Sequence, residues 1–268
     1  MLLRGFATAS NGMQALIEKN DSTANNIANV NTVGYKREQL TFKNIYDSNI
    51  FQTTGEGKDS ETKSIGELSV GSQVEKLTHD FSQGALSKTG NPFDLAVEGD
   101  GFFKVQSTNG DTSYTRNGSF TLNNNAYWVT KDGDYVLDQQ GQKIKINTND
   151  LKMHSYNDII IGERGQIEIN NETNQVAMQT IGIYDFKNKE DLTCIGGSKF
   201  KPTDIKTNPE IKAEKFVVQQ GSLEMSNANV VNEMINTINT SRNYEALSHV
   251  LKSDSDNLKA GIQVGRVR

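Results

Sequence analysis

The sequence predicts an α+β protein in which two long α-helices, one near each end of the chain, flank a central and mostly antiparallel β domain. Apolar residues near both termini recur at helical spacing, whereas the middle of the chain switches to short β-type runs. Those runs are punctuated by Asn-Gly, Asp-Gly and other glycine turns, the signature of hairpins.

Residues 1–46 are expected to form a helix and a turn. Leu2, Phe6, Ala9, Met13, Leu16, Ile27 and Val30 follow a 4-3 spacing that is interrupted at Asn20 and Thr23, which describes a helix with a coiled-coil-like seam. Its length would be on the order of 40 Å, and Gly34 is a suitable stop. Asn25, Asn26, Asn29 and Asn31 crowd the end of this helix although asparagine is a poor helix former. Asn29 lies one turn from both Asn25 and Asn26, so the amides form a stripe beside Ile27 and Val30. Residues 47–67 include TTGEGKDSETKSIGE (Thr53 to Glu67), which is polar and glycine-bearing and reads as a loop or exposed hairpin.

Residues 68–221 form the β domain. Its runs are FFKVQ (from Phe102), YWVT (from Tyr127), YVLD (from Tyr135), KIKIN (from Lys143), DIIIG (from Asp158), QIEIN (from Gln166) and TIGIYDF (from Thr180). Between SYTR and SFTL, Asn117-Gly118 suggests a two-residue type I′ turn, because both residue types tolerate positive φ. In residues 222–268 the helical pattern returns with Val230, Val231, Met234, Ile235 and Ile238, then Tyr244, Leu247, Val250, Leu251, Leu258 and Ile262, and Ser226 is placed to act as N-cap. Helices of this kind are marginal alone in water, so each needs an apolar partner: the other helix, or other copies of the chain.

Composition excludes several function classes. A length of 268 residues supports one large domain or two modest ones, and the net charge of −5, without an arginine and lysine stripe, argues against a nucleic-acid partner. No apolar run approaches the roughly 20 residues that cross a bilayer. The N-terminus lacks the basic stretch and following apolar run of about 7 to 15 residues that mark a cleaved secretory signal. The single cysteine, Cys194, rules out an internal disulfide and reads as a small, partly buried hydrophobe. His79, His154 and His249 have no metal-ligand spacing, and there is no GxSxG, GxxxxGK or GxGxxG motif. EGDGFF (from Glu98) and DGDYVLD (from Asp132) lack the EF-hand pattern and read as Asp-Gly turns. No catalytic residue, cofactor, metal or small-molecule substrate is therefore expected. The alternative from a different class is a secreted β-domain enzyme or sugar-binding protein, although one Trp is poor provision for stacking sugars.

Four stretches, in order along nearly the whole chain, carry a resemblance: NNIANVNTVGYK (from Asn25), GNPFDLAVEGDGFFKV (from Gly90), YTRNGSF (from Tyr114), and QGSLEMSNANVVNEM through RNYEA (Gln220 to Ala246). The chain resembles the bacterial flagellar basal-body rod proteins, the axial group that also includes the hook protein. Within that group GNPFDLAVEGDGFF is more similar to the proximal-rod member, with a distal-rod or hook-type paralogue as the alternative. The resemblance implies a non-enzymatic subunit whose terminal helices pack as a coiled pair and line an axial channel in a helical homo-oligomer. It implies further partners in other flagellar rod and hook proteins, and export by the flagellar type III apparatus to the basal body without a cleaved signal. On this reading the assembly interface comprises Leu2, Phe6, Met13, Leu16, Asn25, Asn26, Ile27, Asn29, Val30, Val231, Met234, Ile235, Ile238, Tyr244 and Leu251, and Phe42 and Tyr46 resemble an export-recognition pattern. Two departures are Ala126 and Trp128, where the family usually has glycine and leucine, and there an asparagine is expected to take the positive φ. The tail AGIQVGRVR runs past the usual family end.

Overall fold

The computed structural model describes residues 2–54, 61–146, 159–171 and 174–266. These divide into two compact units: one gathers residues 1–27, 38–77 and 230–268, the other residues 28–37 and 78–229.

The first unit contains helix α1 (Leu2–Ala28), a two-stranded ribbon of β1 (Glu38–Thr54) and β2 (Glu61–His79), and helix α2 (Val230–Arg266). At 37 residues α2 is about 55 Å long. Strand β1 begins at Glu38, so the segment that follows α1 becomes extended well before Tyr46. Small residues explain how α1 and the ribbon approach each other: Ala9 and Ala15 on α1 are buried, and a Cβ on Gly71 of β2 would sit 3.3 Å from Asn11 Cβ and 3.4 Å from Thr8 Cα.

The α+β class holds, but the expected coiled pair of terminal helices does not. α1 and α2 run in opposite directions and approach at glycines, where a Cβ on Gly5 would lie 3.2 Å from Asp254 Oδ2 and one on Gly12 3.2 Å from Leu247 Cδ1. A knobs-into-holes seam needs large apolar residues on both facing sides. Here the apolar row at the start of α2 faces outward instead: Val231 is 64% exposed, and Met234, Ile235 and Ile238 are each at least 50% exposed. A groove of about 440 Å³, lined by Gly12, Leu16, Phe42, Ser72, Asn243 and Leu247 among others, remains open among the helices and the ribbon.

In the second unit the strands are β3 (Leu86–Lys88), β4 (Leu95–Gly99), β5 (Phe102–Gln106), β6 (Thr112–Thr115), β7 (Phe120–Leu122), β8 (Trp128–Thr130) and β9 (Tyr135–Val136). They continue as β10 (Ile159–Ile161), β11 (Gln166–Asn171), β12 (Asn174–Thr180), β13 (Ile183–Phe186), β14 (Leu192–Gly196), β15 (Lys199–Pro202), β16 (Glu210–Lys212), β17 (Phe216–Gln220) and β18 (Ser222–Glu224). The principal sheet runs β14-β15-β6-β5-β9-β8-β7, with β13 beside β5 and β16 beside β13, while β10-β11-β12 form a separate antiparallel meander. Side chains of both sheets share a core that includes Leu95, Phe103, Val105, Trp128, Ile144, Ile167 and Ile181, and the principal sheet buries a second cluster around Phe102, Tyr114, Phe186 and Phe200. The last two strands return to the first two: β17 pairs with β4 in the register Val218↔Val97, and β18 with β3 in the register Leu223↔Ser87.

Local expectations fail here for identifiable reasons. Strands β6 and β7 do not pair with each other, so Asn117-Gly118 is not a hairpin turn. Gly118 is needed for space instead, since a Cβ there would fall 1.7 Å from Leu95 O. At the β7–β8 connection the positive φ belongs to Ala126 itself, at 62°, and not to an asparagine. Asn123 accepts the amides of Asn125 and Tyr127 through its side-chain oxygen and so shapes that turn around Ala126. Ser226 does not cap α2: its Oγ accepts the Ala228 amide in a turn that precedes the helix. Cys194 lies exposed on β14 rather than partly buried.

Candidate functional site

The expected interface residues fall into three structural settings. On α2, Val231, Met234, Ile235 and Ile238 share one face at i, i+3, i+4 and i+7 and stand exposed, with Tyr244 further along at 41% exposure and Leu251 half-buried. On α1, Phe6 is 47% exposed, Met13 and Leu16 are half-buried, and Leu2 belongs to the helix with its side chain outside the described residues. Near its end Ile27 is half-buried, as is Val30 just beyond it. Phe42 projects from β1 at 42% exposure, and the side chain of Tyr46 lies outside the described residues.

The asparagines serve the chain's own connections. Asn26 is buried and grips the backbone of Glu38 from both sides, its Nδ2 donating to Glu38 O at 3.0 Å and its Oδ1 accepting the Glu38 amide at 2.8 Å. Asn25, which is exposed, donates to Glu38 Oε1 at 2.9 Å. Asn29 Oδ1 accepts the Thr32 hydroxyl at 3.1 Å inside the turn after the helix.

Sequence reasoning missed a buried ionic cluster whose charged residues come from three of the four motif stretches and bond the backbone of the fourth. Lys36, Arg116 and Glu224 are each at most 2% exposed. Glu224 Oε1 accepts Lys36 Nζ at 2.7 Å and the Gly84 amide at 3.0 Å, and its Oε2 accepts Arg116 Nη1 at 3.3 Å. Lys36 also donates to Ser82 O at 2.7 Å, and Arg116 donates to Val97 O and Gly99 O while its guanidinium lies over the Phe102 ring. Burial pulls both cations below their ordinary pKa, partly opposed by the Glu224 carboxylate. Gly34, expected as a helix stop, belongs to this site: its amide donates to Glu224 O at 2.8 Å, its φ is 67°, and a Cβ would meet Asn117 N at 2.3 Å. Beside it Asn227 accepts the Arg37 amide at 2.7 Å and donates to Asp80 O at 2.7 Å. A charged residue inside each otherwise apolar or turn-like motif was the available signal.

Other polar groups of the second unit are paired in ways that support the sheet. Tyr114 donates to Glu210, which also pairs with Lys104 at 2.7 Å, and burial with that carboxylate raises the Tyr114 hydroxyl far above its usual pKa. In the two acidic glycine stretches Asp100 pairs with Lys189 at 2.5 Å, and Asp132 and Asp134 pair with Lys199. Asp138 accepts the amides of Gln140 and Gln142, which is turn chemistry. His79 Nδ1 sits 3.3 Å from Lys36 O with its ring edge-on to Phe200, and His154 lies outside the described residues. Among the described residues no group of three or more His, Cys, Asp or Glu could hold a metal ion. No described helix is long and apolar enough to cross a membrane.

Comparison with known proteins converges on one kind of relative. Residues 6–36 match a family model described as flagella basal body rod protein. Residues 96–169 match the flagellar hook protein FlgE/F/G D1 domain, and residues 219–264 the flagellar basal body rod FlgEFG protein C-terminal model. The chain is similar to the flagellar basal-body rod protein FlgG of Bacillus subtilis, with 31% identity over 271 residues that cover 99% of this chain and 100% of that one. Similarity to FlgG of Borreliella burgdorferi is 31% over 96% of both chains. A flagellar basal-body rod protein FlgF, from Mesorhizobium japonicum, is 30% identical over 92% of this chain and 93% of its own.

Proposed function

The chain belongs to the flagellar basal-body rod protein family and is a structural subunit of that rod; we propose that it builds the rod by helical self-assembly through its terminal helices, forming the axial drive shaft and export channel. The observation that carries this reading is the exposed apolar row Val231, Met234, Ile235 and Ile238 on α2. Large exposed apolar patches mark interaction sites, and this row has the helical spacing that a neighbouring helix would cover. A contact between two different patches of identical subunits that does not close into a ring generates an open helix. Other rod and hook proteins are its neighbours along the axis, and the subunit carries out no catalysis.

The test is the double substitution Ile235→Asp, Ile238→Asp, which places two carboxylates in the row. Rods should be missing from basal-body preparations and swimming lost, while the β unit keeps its parental thermal transition. Normal rods would refute the reading. Export through the flagellar type III apparatus is proposed to use Phe42 and Tyr46, since Phe42 projects from β1 into solvent. Secretion of a Phe42→Ala, Tyr46→Ala variant should fall well below the parental level with its folded stability unchanged; parental secretion sinks the assignment.

A further inference from the structure

The buried cluster bears on the order in which the β unit folds. Glu224 lies 188 residues beyond Lys36 and 108 beyond Arg116 in the chain. Without it, closing the unit would leave Lys36 with only Ser82 O and Arg116 with only Val97 O and Gly99 O as hydrogen-bond acceptors. Asp80 acts on Lys36, and Asp100 and Asp185 on Arg116, only through space; among the described residues Glu224 is the carboxylate that bonds both, and a buried cation denied its bonded partner is strongly unfavourable, more so than an unfilled apolar contact. The segment that brings Glu224 also brings β17 and β18, the strands that pair with β4 and β3. Strand β4 holds Leu95, Ala96 and Val97, all fully buried. One late stretch, residues 216–224, therefore supplies both a missing strand partner and the missing charge.

We propose that Glu224 is a folding latch: the β unit closes its core only once residues 216–224 have docked and the Glu224 carboxylate has entered between Lys36 and Arg116. An apolar cluster would tolerate partial or shifted contact, whereas two cations of fixed position accept only a carboxylate. A chain delivered N-terminus first stays open until almost all of it is available. That use of the latch rests on the reading of an exported rod subunit; the latch itself does not.

Trp128, the single tryptophan, is fully buried in the core and reports closure by its fluorescence. Folding and unfolding rates against urea are measured on the full-length monomer for the parent, Glu224→Gln, Glu224→Asp and the apolar triple variant Lys36→Met, Arg116→Met, Glu224→Leu. Glu224→Gln should slow folding by at least about tenfold and change unfolding by less than about twofold, because the contact forms in the rate-limiting step. The triple variant should close at the parental rate or faster. A parental folding rate with faster unfolding in Glu224→Gln overturns the latch, as does a triple variant that closes no faster than Glu224→Gln. If Glu224→Gln never regains the native signal, Glu224→Asp decides by the same division between the two rates. Rod assembly plays no part in these measurements, so either proposal can fail while the other stands.

Discussion

Ala126 shows how a single residue can carry strain that its neighbours impose. Its φ of 62° lies in the left-handed region, where an L-residue with a Cβ is disfavoured by roughly 1 kcal/mol or more. The position is held by the Asn123 side chain, which accepts amides on both sides of it, and by the Ala126 amide itself, which donates to Asn123 O at 2.9 Å. Ala126→Gly removes the Cβ clash at the cost of a more flexible unfolded chain, and the net gain should be about 0.5 to 1 kcal/mol. Urea unfolding followed at Trp128 measures it, and a loss of stability would show that the strain is absent. A departure from glycine was visible in the sequence; which of four neighbouring residues took the positive φ was not, because asparagine tolerates that region better than alanine.

At the scale of elements, two asparagine amides tie α1 to the start of β1, and the buried one, Asn26, holds its backbone. Asn26 makes two hydrogen bonds to the Glu38 backbone from a buried position, so Asn26→Ala leaves the half-buried amide and carbonyl of Glu38 without that partner. A loss of about 1 to 3 kcal/mol is expected, local to the start of β1. The measurement is hydrogen exchange at the Glu38 amide, which should accelerate by roughly tenfold or more; an unchanged rate would mean that the amide contributes nothing there. The asparagine stripe was legible as an anomaly in a helix, and its spacing suggested contacts to neighbouring helices. Its use by a strand twelve residues on depends on where β1 starts, and no periodicity reports that.

For the whole molecule, the contrast between the two units sets the order of local opening. The β unit surrounds a core of fully buried side chains such as Leu95, Phe103, Trp128 and Ile181, whereas the long helices present half-exposed apolar faces to water. In the isolated subunit, amides of α1 and α2 should exchange ahead of those in β4, β5 and β13, and assembly should slow the helices selectively. Uniform protection across both units in the monomer would contradict this and would favour a subunit whose helices are already satisfied.

What the sequence by itself determined was the two long helices, several of the strands and the kinship: helical spacing, strand runs and the four ordered motifs are properties of neighbours along the chain. Helix and strand periodicity arise from residues a few positions apart, so they survive without knowledge of the fold. The tertiary structure alone decided which faces are covered. It left the Val231 to Ile238 row of α2 exposed where a coiled pair was expected, made Gly34 and Gly118 points of close approach, and joined Lys36, Arg116 and Glu224 across 188 residues. The physical reason is that desolvation and close contact depend on distance in space, and a lysine, an arginine and a glutamate look like ordinary surface charges until the strands that carry them are paired.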